Sequence, residues 1–187
     1  MSGHCIVVSG FGRCGSSLVM QMLAAGGVPC LGKYPAYESR QVLQPGRRQA
    51  VKILDPQRAD PTPYAIPPDA RVIFLTRDPS EQARSLAKFT SIMVGVSYSR
   101  DQRRALAVQL RDDWRLARRA IGSRPLLVLS FESLLALPLV CARKLAEFVG
   151  GEFDVGAAAR QVRPRTPECA AGMDMEIALM KEGQANG

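Results

Sequence analysis

Cys5-Ile6-Val7-Val8-Ser9-Gly10-Phe11-Gly12-Arg13-Cys14-Gly15-Ser16-Ser17 decides how the rest of the chain is read. The first four residues are apolar and read as a short buried strand. Gly10, Gly12 and Gly15 follow, with one cation, Arg13, and the hydroxyls of Ser16 and Ser17. A helical pattern then runs from Leu18 through Leu23. Strand, glycine-rich turn and helix together make a phosphate cradle. Backbone N–H groups in the turn point inward, and the helix N-terminus adds about half a positive charge.

The place of the cation matters most. A nucleotide-triphosphate loop reads G-x-x-x-x-G-K-S/T; its Lys reaches the β/γ-phosphates and its hydroxyl holds Mg²⁺. Gly10 and Gly15 keep that spacing, but Ser16 stands at the Lys position and Arg13 lies three residues earlier. A cation inside the loop can clamp a terminal anionic group without copying that lysine. Two alternatives stay open: a glycine-rich turn with no ligand, and a degenerate small-molecule kinase. The missing Lys weighs against the kinase.

Arg71-Val72-Ile73-Phe74-Leu75-Thr76 reads as a second landmark, a strand ended by Arg77-Asp78-Pro79. A helix is predicted from about Pro79, since Pro suits a first helical turn. Ser85, eight residues after Arg77, falls on its second turn. A guanidinium fork at the strand end and a hydroxyl on the helix can converge on one phosphate. Taken alone, the pair reads as readily as a helix-start arginine and a surface serine.

These two motifs resemble those of the sulfotransferase family. Ser9 to Ser17 is similar to its 5′-phosphosulfate loop, G-x-P-K/R-S-G-T/S-S/T. Arg77 to Ser85 is similar to its 3′-phosphate motif, R-D/N-P with a Ser eight residues on. Leu127-Val128-Leu129-Ser130-Phe131-Glu132-Ser133-Leu134 resembles the family's strand followed by Y-E-D-L, with Phe131 for Tyr and Ser133 for Asp. Val140 to Gly150 resembles the next helix, which ends in F-L-G. The resemblance covers residues 5 to 150. Two positions depart from it: Gly12 replaces Pro and Cys14 replaces Ser. Glycine loosens the loop by raising unfolded-state entropy, and a thiol is a poorer donor than a hydroxyl.

The resemblance implies a three-layer α/β/α fold around a central parallel sheet, similar to P-loop NTPases. It implies 3′-phosphoadenosine-5′-phosphosulfate (PAPS) as donor, adenosine 3′,5′-bisphosphate (PAP) as product, and no metal. The sulfuryl group would pass in line to a hydroxyl or amine of a small-molecule, lipid, carbohydrate or peptide acceptor. Carried over residue by residue, Arg13 acts at the 5′ end. Gly12, Cys14, Gly15, Ser16 and Ser17 complete the cradle through backbone N–H groups and the two hydroxyls. Arg77 and Ser85 hold the 3′-phosphate. Arg163 or Arg165 would correspond to a basic C-terminal segment over that phosphate; a solvated basic turn is the other reading.

A general base must take the acceptor's proton. The only histidine, His4, precedes the first strand, at the end away from the cradle. Glu38, in the loop after the first helix near Tyr34 and Tyr37, is the candidate the family's loop suggests, with Asp55 as runner-up. Lys52 resembles a family lysine beside the transferring group; a strand-end surface lysine is the alternative. Glu132 reads as structural, capping a backbone or pairing with an arginine. A domain that keeps the cradle but has lost its base would be a non-catalytic anion-binding protein.

Composition agrees with one α/β domain over residues 1–187, with 168–187 as a peripheral tail. Hydrophobic residues make up 47%, which argues against disorder. No apolar run approaches the ~20 residues of a membrane span. The N-terminus lacks the pattern of a signal peptide, so the cytoplasm is the expected location. The five cysteines show no C-x-x-C pair and, with a single histidine, no zinc pattern. Free thiols are expected, with Cys5, Cys30 and Cys141 in the core. Cys14, near a helix N-terminus and Arg13, is expected to have a lowered pKa, as a nucleophile or simply a small loop residue.

The net charge of +8 suits a multiply anionic cofactor. Arg100, Arg103, Arg104, Arg111, Arg115, Arg118 and Arg119 recur at helical spacing among Leu106, Leu110, Trp114 and Ile121. They read as the solvated face of an amphipathic helix, or as a polyanion-binding face. Nucleic acid is not the expected partner, because no aromatic residues interleave to stack bases.

Strands are predicted at 5–10, 50–54, 71–76 and 126–129, and helices at 16–26, 79–93, 100–121, 131–137, 138–149 and 155–162. Residues 28–31 read as a short extended piece, 32–49 as an irregular polar loop, and 55–69 as a proline-rich connection. Residues 168–187 are expected to pack partly as a helix through Met173, Met175, Ile177, Leu179 and Met180, and to fray from Gly183. Strands alternating with helices specify a parallel sheet, whose ligands sit beyond the strands' carboxyl ends. Both anion motifs fall at such ends.

Overall fold

The computed structural model describes residues 4–39, 46–58 and 66–170. The expectations for residues 40–45 of the polar loop, the middle of the proline-rich connection and the Met173–Met180 helix lie outside these residues. Four parallel strands, β1 (Cys5–Gly10), β2 (Gln49–Leu54), β3 (Arg71–Thr76) and β4 (Leu126–Ser130), form one sheet in the order β2-β1-β3-β4. Around it lie α1 (Ser16–Ala25), α2 (Pro79–Val94), α3 (Arg100–Ile121), α4 (Phe131–Ala136), α5 (Pro138–Val149) and α6 (Val155–Arg160).

Strand side chains alternate between faces, so each strand feeds two cores. Ile6, Val8, Ile73 and Leu75 pack with Val19, Met20 and Leu23 of α1 and Ala142 and Leu145 of α5. Cys5, Val7, Val72 and Phe74 face the other way, onto Ala107, Leu110, Ala117 and Ile121 of α3. Strands covered on both sides read as continuous apolar runs, which is why β1 and β3 were visible in the sequence. The result is the three-layer α/β/α architecture expected.

Register sets the site. Gly10 pairs with Leu54 and with Leu75, and Thr76 with Ser130, so all four strands end at one edge. The cradle loop, Asp55, Arg77 and Phe131 leave from that edge. Cys30 adds a bridge to Ala50 within the expected extended piece. Helix α1 stops one residue early because Gly26 caps it. Ser99 caps α3 in a reciprocal capping box with Gln102, as the sequence suggested for its hydroxyl.

The Arg-rich side of α3 is the solvated face of an amphipathic helix. Arg104 and Arg115 make exposed pairs with Asp101 and Asp112, while Trp114 packs on Phe74 with ring centroids 4.6 Å apart.

Candidate active site

The cradle loop runs from Phe11 to Gly15. Gly10 and Gly15 have φ of 147° and 95°, in the region that favours glycine. Neither position has room for a side chain. A Cβ at Gly10 would lie 2.7 Å from the Cys14 sulfur, and one at Gly15 would lie 2.7 Å from the Phe131 ring. Because Gly15 is the N-cap of α1, no side chain caps that helix. α2, α3, α4 and α6 are all capped by Asp or Ser side chains. The start of α1 therefore presents first-turn N–H groups and positive dipole without a protein cap, as an anion site requires.

Among the described residues, three other than glycine adopt positive φ: Arg13 at 68°, Tyr37 at 54° and Asp55 at 50°. Arg13 lies in the cradle, Asp55 beside it, and Tyr37 in the loop facing it. Such backbone is costly and persists only where surroundings hold it. For Arg13 those surroundings are visible. Gln82, buried on α2, donates its side-chain N–H groups to the carbonyls of Phe11 (3.1 Å) and Gly12 (2.9 Å). Arg77 donates to the carbonyl of Arg13 itself at 3.2 Å.

The two anion motifs meet. Arg13 Nε donates to Ser85 Oγ at 3.2 Å, across 72 positions of sequence. The Arg13 guanidinium lies over the Phe89 ring, one helical turn beyond Ser85, at 5.1 Å. Arg77 lies over the Phe131 ring at 4.6 Å, and Arg165 over the same ring at 5.0 Å. Arg165 thus lies beside Arg77 on the Phe131 ring, and Arg163 is exposed in the same segment, as Arg165 is. That segment crosses the site: Arg77 Nη2 donates to the Pro167 carbonyl (2.8 Å), and Cys169 N–H to Glu81 Oε2 (2.8 Å).

On the opposite side, Lys52 is the hub. Its side chain is only 2% exposed, which removes the surface-lysine alternative. Nζ donates to Ser17 Oγ at 3.3 Å and to the Ala36 carbonyl at 2.5 Å, and pairs with the Glu38 carboxylate. Ser17 in turn donates to the Ala36 carbonyl at 3.3 Å, and Gln21 to that of Pro35 at 2.9 Å. Glu38, 73% exposed, is accordingly within one side chain of the cradle. Gly32 (φ 92°) lets the loop fold back, since a Cβ there would meet the Tyr37 backbone at 2.6 Å. Asp55 donates its N–H to the Gly10 carbonyl at 2.9 Å, and burial raises its carboxyl pKa.

Two readings need correction. Cys14 does not have a lowered pKa. It is fully buried under the loop, and burial pushes its thiol up to about 11, outweighing hydrogen bonds from Ser16. It is a small loop residue. Cys30 is half-buried rather than core. Glu132, open between two roles, takes the capping one: Oε1 accepts from the Asp78 N–H at 2.9 Å. His4 stands before β1, at the far end of the sheet.

The reading of the sequence missed Gln82, Phe89 and Phe131 as parts of the site. The only hint was Phe131 at the Tyr position of the third motif. Among the described residues no group of three or more His, Cys, Asp or Glu is arranged to hold a metal ion, and no helix is long and apolar enough to cross a membrane.

This fold with two anion motifs on one sheet edge defines a class, and comparison with known proteins gives it a family. The family model described as "Sulfotransferase family" matches residues 61–155. The chain belongs to the sulfotransferase family. No curated protein sequence matches it. Among solved structures it is similar to retinol dehydratase in complex with androsterone and inactive cofactor PAP, at 12% identity and a TM-score of 0.54, covering 84% of this chain and 62% of that one. It is similar to mouse sulfotransferase SULT7A1 complexed with PAP, at 12% identity and a TM-score of 0.52, covering 87% and 64%. A third is sulfotransferase STF9 from Mycobacterium avium, at 11% identity and a TM-score of 0.57, covering 86% and 67%. The chain thus spans less than two thirds of the length of the first two structures.

Proposed function

We propose that this protein, as one α/β domain, transfers the sulfuryl group of PAPS to a hydroxyl or amine acceptor. The observation that carries the reading is the state of Arg77. Its guanidinium is half-buried, makes no ion pair among the described residues, and leaves a buried Nε without a partner. Burial lowers its pKa against the opposing pull of the nearby Glu132 and Glu81 carboxylates, so the cation is desolvated and no carboxylate pairs with it directly. A phosphate supplies both the charge and the missing acceptor.

The residues fit the bisphosphate at both ends. Arg77, Ser85 and Arg165 would hold the 3′-phosphate; Gly12, Arg13, Cys14, Gly15, Ser16 and Ser17 would hold the 5′ end, with Cys14 contributing backbone only. PAPS supplies a sulfuryl group on a good leaving phosphate. Arg13 and Lys52 would face the negative charge that develops on transfer, and such preorganised donors are worth most in a site shielded from water. Glu38 would accept the acceptor's proton, after yielding its hold on Lys52. Arg163, exposed in the strap that carries Arg165, would join it on the phosphate. No metal has a part, and the cytoplasm is the location we assign.

Calorimetric titration with PAP in the absence of metal, beside ATP with Mg²⁺, tests the reading. Micromolar binding of PAP alone is expected. Failure to bind PAP, whatever ATP does, rejects it and leaves an unassigned anion-binding member of the family.

A further inference from the structure

The corner between α2 and α3 carries a surface the candidate site does not use. Ile92, Met93, Val94 and Val96 are 57%, 57%, 70% and 47% exposed. They close α2 and fill the turn beyond Gly95, whose φ of 75° redirects the chain toward α3. Aliphatic side chains scattered singly on a surface need no explanation; four within five consecutive positions form a patch that does.

Cations flank it along the chain. Between residues 86 and 104 the chain has Lys88, Arg100, Arg103 and Arg104 against the single acid Asp101. Along α3, Arg100, Arg104, Arg111, Arg115 and Arg118 recur at helical steps on one exposed stripe, which begins four residues after Val96. The pairs with Asp101 and Asp112, at 3.4 and 3.8 Å, are exposed and weak, so the stripe stays positive.

We propose that this corner docks the protein on an anionic lipid bilayer. The aliphatic tip would enter the boundary between headgroups and acyl chains, and the α3 arginines would lie against the lipid phosphates. An apolar tip joined to a basic helix face matches that interface on both counts. A nucleic acid would leave the tip unused, and the one tryptophan that could stack a base, Trp114, is packed against Phe74. Pairing with a second copy through the tip would bring two arginine stripes together.

Co-sedimentation of the full chain with phosphatidylcholine vesicles, with and without phosphatidylglycerol, tests this. Binding to the anionic vesicles alone is expected. Met93→Asp with Val94→Asp should weaken it by more than about tenfold, since the tip would carry charge into the acyl boundary. Arg100→Glu with Arg104→Glu should weaken it by about fivefold per position, and added salt should have the same direction of effect. All four substitutions are at exposed or partly exposed positions, and thermal melts should match the parent chain. No binding to anionic vesicles overturns the proposal. So does binding that follows the arginines but ignores Met93→Asp and Val94→Asp, which would mark a general polyanion surface. A dimer in sedimentation equilibrium that Val94→Asp separates would assign the tip to a second copy instead.

Discussion

Lys52 and Arg77 stand at the same edge of the sheet, one near the end of β2 and one just past β3, and are held in opposite ways. Lys52 is buried and satisfied: a hydroxyl, a carbonyl and a carboxylate surround its ammonium. Arg77 is half-buried and unsatisfied: two backbone carbonyls and an aromatic face meet it, but no carboxylate, and its Nε has no acceptor. One cation organises the protein, joining the start of α1 to the loop that carries Glu38. The other keeps unused capacity for an anion. A site that held the phosphates of a nucleotide at one end and reacted at the other, as proposed, would use both kinds.

The contrast predicts opposite phenotypes. Lys52→Ala should lower the transfer rate by about 10²–10³, the usual loss when a preorganised donor at developing charge is removed. It should also cost about 1–3 kcal/mol of stability, because the Ala36 carbonyl and Ser17 hydroxyl lose a buried partner. PAP affinity should change little. Arg77→Ala should do the reverse, raising the PAP dissociation constant about 10–100-fold through loss of charge-assisted bonds, with a smaller fall in melting temperature than Lys52→Ala, because relief of a desolvated cation offsets the two carbonyl bonds it gives up. No carboxylate is left stranded by its removal. Melting curves and calorimetry on both variants decide the matter; equal losses of stability would erase the distinction between them.

Gln82 sharpens the comparison from a third direction, since it touches neither end of the proposed ligand. Its two bonds hold the Phe11 and Gly12 carbonyls, and through them the left-handed backbone of Arg13. Gln82→Leu keeps the volume and strands both carbonyls, so a loss of about 1–3 kcal/mol is expected. Gln82→Glu should cost more, since a carboxylate would face two carbonyl oxygens. PAP affinity should fall in both. A variant that melts earlier yet binds PAP like the parent would show that the loop keeps its shape without the clamp.

What could be read from the sequence was what is local. Glycine spacing, a strand of alternating cores and a Pro after an Asp each report on their own few residues. The four strands and six α-helices of the described residues were found within one or two residues of their observed ends. The meeting of Arg13 with Ser85 was legible only because both sat at strand ends in a parallel sheet, where topology does the rest. Gln82 looked like any helix polar residue, because its function depends on which carbonyls approach it. Phe131 looked like core. Its role arises from Gly15, where the absence of a side chain lets the ring approach the cradle and carry two arginines. The pairing of Lys52 with Glu38 required the loop to double back at Gly32, which no local pattern announces.

Cys14 shows the same limit at the scale of a single rotatable bond, and it gives the smallest expected effect. Position in the loop suggested a thiol exposed to Arg13 and the helix dipole, hence a lowered pKa. The side chain instead occupies the gap left by Gly10, beneath the loop, where burial opposes the thiolate. Its pKa rises from 9.0 to about 11. Below pH 9 folded and unfolded chains both hold this proton, and Cys14 gives no pH dependence. Above it the unfolded chain releases the proton first, so stability falls with rising pH until about pH 11, where the folded thiol also ionises. Near neutral pH Cys14 should resist alkylation by a maleimide, while the partly exposed Cys169 in the strap over Arg77 reacts. Mass spectrometry of the labelled chain reads both at once. Rapid labelling of Cys14 in the folded protein would place its sulfur on the ligand side of the loop and restore the exposed-thiol reading.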